Sequence, residues 1–111
     1  MQVYTSQYSY KGPDRLDITV KTGNKAFAPT WKMVMQSKKG IMSKEEYTKN
    51  YMELMRKSYL ENMEEWEKLL NRDKAVLVCF CPAGAFCHRL ILAKMLEKLG
   101  AEYMGEIEVQ R

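Results

Sequence analysis

Ala75-Val76-Leu77-Val78-Cys79-Phe80 runs directly into Cys81-Pro82-Ala83-Gly84-Ala85-Phe86-Cys87-His88-Arg89. The first six residues are a continuous apolar run of strand-forming side chains, short enough to be a central strand covered on both faces. A helix is expected to follow from about Phe86 to Leu99, with Gly100 as its left-handed C-terminal residue and Lys98 favourable near the last carbonyls. Glu106-Ile107-Glu108-Val109 then reads as a short strand, and its charged alternation suits an edge. A helix of this length between two strands is what a parallel crossover requires. The fold class this implies is α/β: a small two-layer or three-layer domain with a short, mostly parallel sheet and a long amphipathic helix.

Toward the amino terminus, Arg15-Leu16-Asp17-Ile18-Thr19-Val20-Lys21 alternates apolar and polar residues with period two, the pattern of a half-buried strand. Tyr4, Tyr8 and Tyr10 suggest an earlier extended segment, separated from that strand by a turn at Lys11-Gly12-Pro13-Asp14. Gly23-Asn24 is expected to end the strand. Phe27-Ala28-Pro29-Thr30-Trp31 reads as an aromatic loop, with Thr30 placed to cap a short helix reaching Gln36. Ser43 and Glu46 have capping-box spacing. After them Tyr47, Tyr51, Leu54, Met55, Tyr59, Met63, Trp66, Leu69 and Leu70 recur at helical spacing. That stripe predicts core packing along one helix to Leu70, either unbroken or bent between Ser58 and Asn62.

With 111 residues and 13.0 kDa, the chain has room for one domain and too little for two independent cores. It contains no run of apolar residues long enough to span a membrane, and its start lacks a signal-peptide pattern, so a cytoplasmic protein is expected. Residues 1–42 hold seven basic and two acidic side chains (+5), whereas 43–111 hold eleven and twelve (−1), for a net charge of +4. A basic amino-terminal half suits an anionic partner, although a solubilising surface has the same composition. The long amphipathic stripe exceeds what so small a sheet covers, which points to a homodimer.

The three cysteines, Cys79, Cys81 and Cys87, lie within nine residues and are followed by the only histidine, His88. Such clustering argues against a disulfide framework and for a reducing compartment. The cluster sits at the carboxyl end of the proposed central strand, where open α/β sheets bind ligands. Pro82 removes a backbone donor and Gly84 permits a tight turn, so amides near Ala85 to His88 are candidates to surround an anion, with Gly84 and Ala85 assigned to ligand binding and Arg89 adding a bidentate contact. Cys87 at the helix start, beside His88 and Arg89, is the candidate nucleophile, since a helix dipole and cations favour the thiolate. Adjacent helical positions are about 100° apart, which keeps Cys87 and His88 from both facing one pocket unless the terminus is irregular. Asp17 is a candidate acid, base or hydrogen-bond acceptor, and Arg15 and Trp31 are candidate ligand contacts. Tyr8, Tyr10, Phe27 and Trp31 offer aromatic faces for a base or sugar, or simply cover the sheet.

Other chemistry is open at this level. Cys79, Cys81, Cys87 and His88 make a Cys3His inventory, but their spacing is unlike paired zinc ligands, so no metal and no cofactor is assigned and a metal-binding structural module stays an alternative. Cys81 and Cys87 make a candidate redox pair without the short Cys-x-x-Cys spacing.

The order of Arg15-Leu-Asp17-Ile-Thr-Val-Lys21, Phe27-Ala-Pro-Thr-Trp31, the helix from Tyr47 to Leu54, Cys79-Phe-Cys81 and Cys87-His88-Arg89 resembles the DUF488 family over nearly the whole chain. The resemblance implies an α/β fold with the Cys-His-Arg motif at a strand-to-helix junction. Cys87, His88 and Arg89 match the family signature, and Asp17 matches its acidic position after the early strand. No reaction, substrate or cofactor comes with it. The expected function is binding of an anionic or phosphate-containing small molecule, in an enzyme version as cysteine-dependent nucleotide processing. Non-catalytic sequestration of the ligand and nucleic-acid binding through Arg15, Lys21, Lys25, Lys32, Lys38 and Lys39 are the alternatives.

Overall fold

A computed structural model describes residues 1–80 and 87–109. The apolar run becomes β3 (Lys74–Cys79), buried from Ala75 to Cys79, with a strand paired along each edge and a helix packed on it. The sheet has four strands, all parallel, in the order β2-β3-β1-β4, with β1 at Gln2–Gln7, β2 at Arg15–Asp17 and β4 at Glu102–Ile107. The early extended segment is thus a full central strand, running in register beside β3 from Gln2 opposite Lys74 to Gln7 opposite Cys79. The helices are α1 (Trp31–Lys38), α2 (Lys44–Glu61), α3 (Met63–Leu70) and α4 (His88–Lys98). The last of these is the crossover between β3 and β4 and packs on β1, β3 and β4, while α2 packs against it.

Local capping explains where the helices begin. Thr30 accepts from Met33 N at the start of α1, and Ser43 accepts from Glu46 N at the start of α2, each satisfying an amide with no helical partner. Gly100 follows α4 with φ 105°, the left-handed region expected of it. The long helical stripe is broken at Asn62 (φ −123°, ψ 39°), so two helices stand where one unbroken helix was the alternative. Ser58 holds this bend: its hydroxyl donates to Ala26 O and accepts from the Trp66 indole, which is itself buried against Phe27. Tyr47, Tyr51, Met55, Trp66 and Leu69 join Val3, Leu77, Leu92 and Leu96 in one core, so that stripe is packing. An apolar cleft of about 360 Å³ remains between α2, α3 and α4, with Leu60 and Leu99 exposed at it. Among the described residues no helix is long and apolar enough to cross a membrane.

Two expected strands have different bounds. The alternation from Arg15 to Lys21 yields only three strand residues, because the Asp17 carboxylate accepts from Thr19 N and Thr22 Oγ1 and curls the chain before Val20. Gly23 N then donates to Thr19 O, and Asn24 N to Asp17 O. A methyl group on Gly23 would meet Asp17 O at 2.7 Å and the Thr19 backbone closer still. Gly23→Ala is therefore expected to destabilise the fold by about 2 kcal/mol. A urea titration with an unchanged midpoint would show that the turn opens freely. The last strand begins at Glu102, four residues earlier than expected, with a register shift against β1 between Val3 and Tyr4 where Gly105 has φ 109°. That irregularity hides the alternation from a sequence reading.

Candidate active site at the carboxyl end of the sheet

At the carboxyl ends of β2 and β3 lies a cleft of about 360 Å³. Thr19, Val20 and Lys21 supply one wall, and Pro29, Trp31, Val34, Ser37 and Lys38 another. Tyr47 closes the side, and Cys79, Phe80, Cys87 and His88 complete the lining. Of these, Cys79, Cys87 and His88 are buried, Trp31 is 56% exposed, and Lys21 and Lys38 are exposed. A floor of sulfur and imidazole is thus combined with a cationic, aromatic rim.

Cys87 precedes α4 as its N-cap residue, with extended φ −158° and ψ 154°, and His88 is the first helical residue. The helix therefore starts two residues later than expected, and this removes the angular conflict between neighbouring side chains. Both side chains line the same cleft. The His88 Nε2–H donates to Ile18 O at 2.7 Å, which leaves Nδ1 as the lone-pair nitrogen, 3.5 Å from Cys87 Sγ. Ile18 is wholly buried, so the orienting carbonyl is fixed by the core. Burial lowers the pKa of His88 to about 4, with a smaller push from the Arg89 charge, while the bond to Ile18 O and the Asp17 charge oppose it. The imidazole is neutral at pH 7. Its ring also lies 5.4 Å from that of Tyr51, whose hydroxyl donates to Phe27 O.

The sulfur of Cys79 touches that of Cys87, with the two Cα atoms 7.8 Å apart. A relaxed disulfide spans about 4.4–6.8 Å between Cα atoms, so a bond between these two sulfurs draws the end of β3 and the start of α4 toward each other. Arg89 is fully buried and donates through Nη1 to Cys79 Sγ at 2.8 Å. Its Nε and Nη2 donate to the two carboxylate oxygens of Glu106 on β4, at 3.2 and 2.9 Å. Sequence reasoning missed both Glu106 and the pairing of Cys79 with Arg89. Arg89 was expected to meet a ligand, and its described contacts instead tie α4 to β4 and to the sulfur pair. Cys79, Cys87 and His88 offer three metal-type donor atoms within 4.8 Å of one another. The fixed Arg89 cation beside Cys79 opposes a metal cation there.

Of the remaining described candidates, Asp17 and Arg15 do not line the cleft and Trp31 does. Asp17 holds the turn through Thr19 and Thr22. Burial raises its pKa, and the bonds from these two residues outweigh that and lower it. Arg15 donates to Tyr10 O and Tyr8 O and lies over the Tyr8 ring, bracing the turn between β1 and β2. Phe27 is core, and Trp31 is at the rim. Gly84, Ala85 and Cys81 lie outside the described residues.

A parallel α/β domain carrying a cysteine and histidine pair where its central strand passes into a helix is the class that this architecture defines. The family described as DUF488-N3a, the active DUF488-N3 subclade, matches residues 1–100, and the chain belongs to it. No curated protein and no solved structure matches the chain.

Proposed function

We propose that the cleft binds an anionic, phosphate-bearing small molecule and that Cys87 attacks it as a nucleophile. The observation that carries this reading is the Cys87 Sγ to His88 Nδ1 approach of 3.5 Å with the imidazole locked by Ile18 O. Nδ1 receives the thiol proton as the sulfur forms its bond, and the backbone carbonyl holds the ring as a third group does in other thiol dyads. Lys21 and Lys38 on the rim attract the negative charge, and Trp31 offers a ring face to a nucleotide base. The description of the subclade as active agrees with an enzyme.

Alkylation of the reduced protein at pH 7 tests this directly. Cys87 is expected to react about tenfold faster with anionic iodoacetate, relative to neutral iodoacetamide, than a free thiol does, because the rim cations concentrate the anion. Lys21→Ala with Lys38→Ala should remove that preference, and His88→Gln should slow both reagents. A Cys87 inert to both reagents overturns the reading. A thermal-shift screen of nucleotides and sugar phosphates would then identify the ligand, since saturation at a hundredfold over Kd stabilises by about 2.7 kcal/mol.

A further inference from the structure

The proposed chemistry uses Cys87 and leaves unexplained why a second sulfur touches it. Cys79 ends β3 and Cys87 opens α4, so the strand-to-helix junction brings together two cysteines eight residues apart in sequence. Their surroundings differ. Cys87 faces the basic nitrogen of His88, whereas Cys79 receives a hydrogen bond from a guanidinium that is wholly buried. That guanidinium is clamped by both oxygens of Glu106. A cation held at 2.8 Å from a sulfur stabilises its thiolate, the form that attacks in thiol exchange. Both sulfurs line a cleft open to solvent, and the lysines at its rim suit a negatively charged reactant.

We propose that Cys79 and Cys87 are a dithiol pair that reduces an anionic organic disulfide, with Cys87 attacking and Cys79 resolving. The proposal rests on the reading of Cys87 as nucleophile in an anion-attracting cleft, and takes as its substrate class an anionic disulfide with or without phosphate. In the first step the Cys87 sulfur bonds one sulfur of the substrate. The substrate S–S bond breaks, its electron pair leaves with the second sulfur, and the Cys87 proton reaches that leaving thiolate by way of His88 Nδ1. The Cys79 thiolate then attacks Cys87 Sγ in the mixed disulfide and expels the remaining substrate thiolate, which takes up the proton that Cys79 had released to solvent. The net change is two protein thiols oxidised to one Cys79 to Cys87 disulfide and one substrate disulfide reduced to two thiols. Glu106 acts as a positioning residue, because it aims the guanidinium that keeps Cys79 anionic.

The test is a single turnover of the full-length reduced protein with glutathione disulfide, quenched in acid. Chymotryptic cleavage after Phe80 and Phe86 separates the three cysteines for mass spectrometry. The wild-type chain is expected to release two glutathiones and to carry a link between Cys79 and Cys87. C79S should release one and retain the other on Cys87. In E106Q the pH profile of the resolving step should move to higher pH, which a loss of stability alone would not produce. A wild-type chain that stops with glutathione on Cys87, or that links Cys87 to Cys81, overturns the dithiol proposal and leaves Cys87 as nucleophile. Failure of Cys87 to react at all overturns both.

Discussion

Glu106→Ala is expected to lower the unfolding free energy by about 3 kcal/mol. The reason is the buried, bidentate ion pair it would break. Arg89 has no exposed surface and Glu106 is only 20% exposed, so removing the carboxylate takes two charge-assisted hydrogen bonds from a guanidinium that water cannot reach to replace them. The partial exposure of Glu106 puts the effect at the low end for broken buried pairs. Urea unfolding of the two proteins measures it, and a difference below about 1 kcal/mol would mean that Arg89 relaxes toward solvent as a surface pair does. Glu106→Gln should lose less, because one oxygen still accepts from the guanidinium.

The second large effect is acid destabilisation through His88. Its folded pKa is about 4, below the 6.5 of an unperturbed histidine, so the unfolded chain binds the proton first as pH falls. Stability is then full above pH 6.5, declines from there toward pH 4, and levels off below it. The whole decline amounts to about 3 kcal/mol. His88 is the only histidine, so the upper part of this window, where carboxylates have yet to titrate, reports on it alone. Thermal unfolding between pH 7 and 5 should show a falling midpoint, and a flat profile would contradict a neutral, buried imidazole. The same experiment bears on function, since a proton on Nδ1 removes the acceptor that faces Cys87.

Much of the fold was legible because its signals are local. The run from Ala75 to Phe80 reads as a buried strand by composition, and all of it but the exposed Phe80 is one; Ser43 and Glu46 mark a helix start by their spacing, and Gly100 marks a helix end by the backbone it permits. Asp17 shows the limit of periodicity. The alternation continues to Lys21, but a carboxylate two residues before an amide competes for the backbone and ends the strand early. At β4 a register shift beside Gly105 conceals the pattern altogether.

The same division runs through the site. Sequence by itself determined the α/β class, the strand-to-helix junction and the presence there of Cys79, Cys87, His88 and Arg89, because chain proximity forces those residues together. Only the tertiary structure decided what each one faces. The Ile18 carbonyl that sets the His88 tautomer is 70 residues away in sequence, and the parallel pairing of β2 with β3 brings it near. Glu106 reaches Arg89 because α4 crosses over to place β4 beside β1. Adjacency in the chain carries a residue's identity and rough location, while partners across a parallel sheet depend on strand order and register, which long-range packing selects.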